Sequence, residues 1–246
     1  MRRYVVVTCV RDTREKLEAC LGSLAAQDYD DFGVVVVDDA SSDGSGLLAE
    51  AWCNGREGWQ TLRRAERMGA VLNQWDAIHL GCDSPDDVVV WVDGDDRLAR
   101  PDTFEILNRY YDAGSLVTYG SYKPDPPSAT CAPARPYPER VVRRNLYRRC
   151  PERHAYNHLR TASFSLIQQM SEDDCKDDHG EWFTSTPDAV FMFPLLELAR
   201  GAVSFVPETL LIYSSDMAHA EWRDHPERVD YVNRTVLARP PKVARW

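Results

Sequence analysis

Three apolar runs, "YVVVTCV" (4–10), "FGVVVVDDASSDGS" (32–45) and "VVVWVDGDDRL" (88–98), constrain this 246-residue chain more than any other feature. Each carries three or more consecutive valines with no polar alternation, the pattern of a strand buried on both faces, and such strands belong to parallel sheets covered by helices. Helical periodicity fills the gaps. Leu17, Cys20, Leu21 and Leu24 mark one apolar face, preceded by Asp12 and Glu15 as a capping box. Met68, Val71, Leu72, Trp75 and Ile78 mark a second. After the third run Pro101 suits a first helical turn, Asp102 and Glu105 repeat the capping pattern, and "SLVTYGSY" (115–122) reads as a further strand. Residues 1–122 therefore predict an open, mostly parallel α/β sheet flanked by helices.

Beyond Lys123 the character changes, because six prolines between 124 and 138 break up any helix or central strand. This stretch predicts a loop into a second subregion, 123–246, that completes the same domain. There "VVRRNLYRR" (141–149) and "DAVFMFPLLELARG" (188–201) predict helices, and "VSFVPETLLIY" (203–213) a long strand or a strand pair.

Composition narrows the classes. Seven scattered cysteines without a C-x-x-C pair read as reduced thiols of a cytoplasmic protein. No run of about 18 apolar residues predicts a membrane span, and the short apolar stretch after Met1 is too short for an export signal. A net charge of −10 argues against a protein that grips nucleic acid through its phosphates, although a nucleobase acceptor stays open. The arginines of 140–153 and the acids of 172–181 read as solvated faces.

In open parallel sheets ligands bind beyond the carboxyl ends of the strands, and both acidic clusters, Asp38/Asp39 and Asp93/Asp95/Asp96, fall there. Three carboxylates at the end of a buried strand repel one another and lose hydration. A divalent cation removes that cost, and hard oxygen ligands select magnesium or manganese, ions usually shared with phosphates. The chain has neither G-x-x-x-x-G-K-[ST] nor G-x-G-x-x-G after the first strand, so the usual evidence for a P-loop enzyme or a dinucleotide-binding dehydrogenase is missing.

Three stretches resemble the inverting nucleotide-sugar glycosyltransferases of the GT-A fold, the family of the cellulose and chitin synthases. These are the opening from "VVVTCVRD" to "VVVVDDASSDGS", the D-x-D strand "VVVWVDGDDRLARPDT", and "TPDAVFMFPLLELARGAVSFVPETLLIY". The resemblance implies a GT-A, Rossmann-like sheet with a C-terminal acceptor-side subregion. It implies a Mn2+ or Mg2+ cofactor, a nucleoside diphosphate sugar donor, usually of uridine, and an acceptor it does not identify. Thr8, Val10 and Arg11 would line the nucleotide pocket, and Asp39, with Asp38 beside it, would accept from the base. Asn73 falls where relatives show Arg-Asn, but Leu72 replaces that arginine, leaving Arg67 to face the phosphates. Asp93 and Gly94 would lie by the ribose and metal, Asp95 would be the principal metal ligand, and Asp96 a supporting acid toward the acceptor side.

By the same resemblance Asp188 would be the general base, with helix capping as its plain alternative. His219 would approach the metal and diphosphate, and Arg160 the acceptor or leaving phosphate. His154 and His158 read as surface histidines. Trp75 and Trp91 fit the core, which leaves Trp182 and Trp222 as candidates for sugar or acceptor contact. The rival readings are a nucleotidyltransferase acting on sugar phosphates and a nucleotide-sugar-binding module without catalysis.

Overall fold

In the computed structural model, which describes residues 2–128, 134–216 and 221–243, the three apolar runs form neighbouring strands of one sheet. The strands are β1 (Tyr4–Val10), β2 (Phe32–Asp38), β3 (Trp59–Arg63), β4 (Val88–Trp91), β5 (Arg97–Leu98), β6 (Val117–Asp125), β7 (Arg160–Ser163) and β8 (Val203–Ser214). Their spatial order is β3-β2-β1-β4-β7-β6-β8-β5. β3, β2, β1 and β4 run parallel, β7 runs antiparallel to both β4 and β6, and β8 lies parallel to β6 and antiparallel to β5.

The helices are α1 (Arg14–Ala25), α2 (Ser45–Cys53), α3 (Ala70–Gly81), α4 (Thr103–Asp112), α5 (Glu139–Arg144), α6 (Phe164–Ile167), α7 (Pro187–Leu198), α8 (Glu221–Asp224) and α9 (Pro226–Ala238). Because strand side chains alternate between faces, each valine run feeds two cores. Val6, Val34, Val36 and Val90 pack with α1, α2 and α4, whereas Val5, Val35, Val89 and Trp91 pack with α3 and α7. Ten of the twelve residues of α7 are buried, which is why it reads as apolar all round.

Several local expectations resolve differently. Thr13, not Asp12, stands at the N-cap of α1. Asp12 instead accepts from the Ser42 amide at 2.7 Å and its hydroxyl at 3.1 Å, tying the exits of β1 and β2 together. Asp102 does hold the N-cap position of α4, but its carboxylate forks to Arg100 at 2.7 and 2.8 Å. The helix expected over 141–149 breaks at Asn145, whose φ of 52° is left-handed. Arg148 beyond the break is not solvated: it is buried and pairs with Glu197 of α7 at 2.7 and 3.0 Å. Residues 203–213 form one strand, and β6 runs through Pro124 to Asp125, past the start of the predicted loop.

Candidate active site

β1 and β2 end level, Val10 opposite Asp38, and β4 ends at Trp91 opposite Val7, so the chain leaves the sheet three times along one edge. A cleft of about 730 Å³ opens at that edge. Cys9, Val10, Arg11, Asp39, Arg67 and Asn73 line it from the first strands and α3, and Asp93 and Asp95 line it from the β4 exit. The later half of the chain adds Asn157, His158, Tyr213, Arg223 and the segment from Thr184 to Pro187.

Position along the strand, as well as its face, decides which of the expected nucleotide residues reach this space. Thr8 and Asp38 do not. Thr8 is fully buried, on the face of β1 that it shares with Val6 and Val10. Asp38 is 1% exposed, accepts from the Ser41 amide at 3.2 Å and faces Arg63 at 3.6 Å. Asp39, one residue on, turns to the other side, where its oxygens accept from the Met68 amide at 2.7 Å and the Gly69 amide at 3.1 Å. Asn73 is buried, with Oδ1 accepting from Arg64 Nε at 2.9 Å and Nδ2 without a partner. Arg64 is thus the arginine attached to Asn73, while Arg67 lines the cleft itself.

The D-G-D-D turn is pressed against the end of β1. The Gly94 amide donates to the Cys9 carbonyl at 3.2 Å, and a Cβ at residue 94 would lie 2.3 Å from Val10 Cγ1. Gly94 therefore shapes the turn and is not among the residues lining the cleft. Asp93, Asp96 and His158 come together, each offering one ligand atom within 4.8 Å of the others. Asp96 is 1% exposed, and its Oδ1 accepts from the Ser214 amide at 2.9 Å while its buried Oδ2 has no hydrogen bond. Asp95 lines the cleft outside that trio, its carbonyl accepting from the Ser214 hydroxyl.

Burial pushes all three carboxyls up. It raises Asp95 to about 7, with the Asp93 charge adding to it, and holds Asp96 well above the usual range together with Asp95 and Asp93. Burial also raises Asp93, although the Arg160 guanidinium opposes the shift. The His158 ring is pushed well below its ordinary value, first by burial and then by Arg160, so it is neutral at pH 7. Two crowded carboxylates, one with an orphaned buried oxygen, and a neutral imidazole are a donor set that fits a divalent cation of the manganese type.

Antiparallel pairing of β7 with β4 sets Arg160 opposite Trp91, two residues before Asp93. From there Nη2 lies 3.6 Å from Asp93 Oδ2 and Nη1 lies 3.7 Å from Asp188 Oδ2. The N-cap of α7 is Thr186, followed by Pro187, so Asp188 sits in the first turn and not at the capping position. Trp182 packs on Trp75 at 6.2 Å with Lys176 Nζ 5.1 Å from its ring, and does not line the cleft. His219 and the side chain of Trp222 lie outside the described residues.

The sequence reading missed the place of His158. Instead of facing solvent, it lines the cleft between Tyr122 and Tyr213, with ring centroids 5.8 and 5.7 Å away. Its nearness to Asp93 and Asp96 arises from strand pairing across some 60 residues of chain, which leaves no local pattern to read.

Comparison with known proteins gives the class. The model of the family described as "Glycosyl transferase family 2" matches residues 4–174, and the chain belongs to that family. It is a glycosyltransferase with the GT-A fold. No curated protein matches the sequence significantly. Among solved structures, S. aureus TarS 1–349 superposes with a TM-score of 0.64 at 17% identity, over 98% of this chain and 67% of that one. The mannosyltransferase PcManGT from Pyrobaculum calidifontis, in complex with GDP-Man and Mn2+, gives 0.62 at 18% identity, over 95% and 64%. Mannosyl-3-phosphoglycerate synthase from Rubrobacter xylanophilus gives 0.64 at 16%, over 96% and 72%. No helix among the described residues is long and apolar enough to cross a membrane.

Proposed function

We propose that this glycosyltransferase is metal-dependent and inverting, moving a sugar from a nucleoside diphosphate donor, with uridine as the base, to a hydroxyl acceptor. One observation carries the reading: Asp93 and His158 of the trio line the cleft, and a single arginine stands within reach of both and of the carboxylate of Asp188. In this reading the trio would face the diphosphate and Asp188 the acceptor, on either side of the transferred sugar.

Asp39 would accept from the nucleobase, beside Val10 and Arg11, and Asn73 and Arg67 would face the nucleotide from α3 and the loop before it. A divalent ion held by Asp93, Asp96 and His158, with Asp95 adjoining, would offset the charge that gathers on the departing diphosphate. Asp188 would take the acceptor's proton as its oxygen attacks the anomeric carbon from the face opposite the leaving group, so configuration inverts. The uridine preference is supported by the structural likeness to TarS, solved with UDP-GlcNAc and with UDP, whereas PcManGT was solved with GDP-Man. A cytoplasmic setting is part of the same proposal.

The test is a hydrolysis screen without acceptor, using UDP-glucose, UDP-N-acetylglucosamine, UDP-galactose and GDP-mannose with manganese or with chelator. Manganese-dependent release of UDP is expected, and Asp188→Asn should lower it by about 10²–10⁴-fold, the usual worth of a positioned base, with UDP binding retained. Release that ignores chelator, or absent from all four donors, removes the reading.

A further inference from the structure

Arg160 is the one described side chain ion-paired to both Asp93 and Asp188, and it is withdrawn from the cleft. Its side chain is 8% exposed, whereas those of Asp93 and Asp188 are each 39% exposed. Asp93 lines the cleft, Asp188 follows the lining residues Thr186 and Pro187, and the guanidinium lies buried between the two carboxylates. Each Nη meets the Oδ2 of one carboxylate, Nη2 also lies 3.4 Å from His158 Nδ1, and Nε is buried without a partner. Of the Asp188 carboxylate, Oδ2 is the oxygen that faces Arg160, and the side chain is 39% exposed.

This arrangement does not suit the substrate contact expected of Arg160 from the sequence, because the side chain is buried and both Nη groups face carboxylates of the chain at ion-pair distance. Nor is it an economical way to stabilise the fold, since a buried charge opposite two half-exposed carboxylates gains little over an apolar residue of the same size. What the fork does supply is geometry. A planar, permanently charged guanidinium spans two carboxylates at a fixed separation, which a lysine cannot do.

We propose that Arg160 is a positioning residue of the transfer reaction: it fixes the Asp188 carboxylate relative to Asp93, and it acts on the chemistry only through Asp188. The proposal rests on the reading of Asp188 as the base.

The experiment is a double-mutant cycle on manganese-dependent hydrolysis of whichever of the four donors above the wild type turns over fastest, with UDP affinity measured by calorimetry in manganese. Arg160→Gln should lower kcat by roughly 30-fold, and Arg160→Lys, which keeps the charge but not the fork, by roughly fivefold. The Kd for UDP should move by less than about threefold in both, because the loss lies in the chemical step. In an Asp188→Asn background, Arg160→Gln should cost less than about twofold more, since residues that act as one unit are not additive. An undiminished 30-fold loss in that background, or a Kd that rises in step with the fall in kcat, overturns the proposal, because Arg160 then acts through the metal site or the substrate and not through Asp188. Asp188→Asn hydrolysing at the wild-type rate overturns the base reading itself, whatever Arg160 does. If Arg160→Gln no longer melts cooperatively, the lysine variant carries the same cycle with its smaller factor.

Discussion

Asp38 and Asp39 end β2 much as Asp93, Asp95 and Asp96 follow β4, and both groups stand at the carboxyl edge of one sheet. The first pair is provided for by the chain: Asp38 has the Ser41 amide and Arg63, and Asp39 has the amides of Met68 and Gly69. The second group is not. Asp96 keeps a buried oxygen without a donor, all three carboxyls are pushed up, and the nearest fixed cation, Arg160, is shared with Asp188. Equal sequence positions therefore carry different work. The carboxylates that the fold satisfies hold the end of β2, with Asp39 lining the cleft, and under the proposed function those that it leaves short would receive a cation.

The largest effect that could break this contrast is expected at Asp96. Asp96→Asn keeps the shape and removes the charge, so manganese-dependent affinity for UDP should fall by about 100-fold or more, read by calorimetry, while the metal-free protein melts no lower than the wild type. A variant that melts lower and still binds would put Asp96 with Asp38 and Asp39. The second effect is one of pH. Since the folded values of Asp93, Asp95 and Asp96 lie above those of the unfolded chain, the folded state holds protons that the unfolded state has released. The stability this gives is complete below the ordinary carboxylate range and is lost as pH rises through the folded values, about 7 for Asp95. The melting temperature of the metal-free wild type, read against that of an Asp95→Asn variant, should thus fall from pH 4 to pH 7, and manganese with UDP should reverse the trend.

How much of this was legible in the sequence follows from which contacts are local. β1, β2 and β4 announce themselves because each is apolar throughout, and the acids that follow are adjacent letters. β3 was hidden because "WQTLR" is only half-buried and carries no period. β7 was hidden for the opposite reason: "RTAS" is buried yet polar, and it is tolerated because Thr161 Oγ1 meets the hydroxyls of Tyr111 and Thr118 at 2.6 Å each. The same blindness covers His158 and the Arg160 bridge, which exist only once β7 pairs with β4. Capping patterns misled where a distant partner won, as Ser42 did over the α1 amides for Asp12.

Asp39 belongs to both sides of the contrast, and its substitution should show both effects at reduced size. Asp39→Ala leaves the Met68 and Gly69 amides at the start of α3 without acceptors, and unpaired buried amides cost about 1–3 kcal/mol. Because the proposed contact to the base is lost as well, UDP affinity should fall by about tenfold, the worth of one hydrogen bond to a buried partner. Destabilisation with unchanged affinity would confine Asp39 to a structural role and move base recognition elsewhere in the cleft.

The smallest effect is expected at Asp38, where the contrast predicts stability alone. Asp38→Asn retains an oxygen for the Ser41 amide but turns an N–H toward Arg63, at a cost of about 1 kcal/mol with no change in UDP or manganese affinity. The same carboxylate can be disturbed from its other flank. A Cβ at Gly46, in the first turn of α2, would lie 2.2 Å from Asp38 Oδ2 and 2.8 Å from Arg63 Nε, so Gly46→Ala must push the pair aside and should cost about 1–3 kcal/mol by overpacking. In the Asp38→Asn background the alanine still meets an amide of the same size, so the two costs should remain nearly additive if the conflict is steric. A Gly46→Ala penalty that vanished beside Asp38→Asn would instead mean that the ion pair with Arg63, and not the packing around it, is what anchors the end of β2.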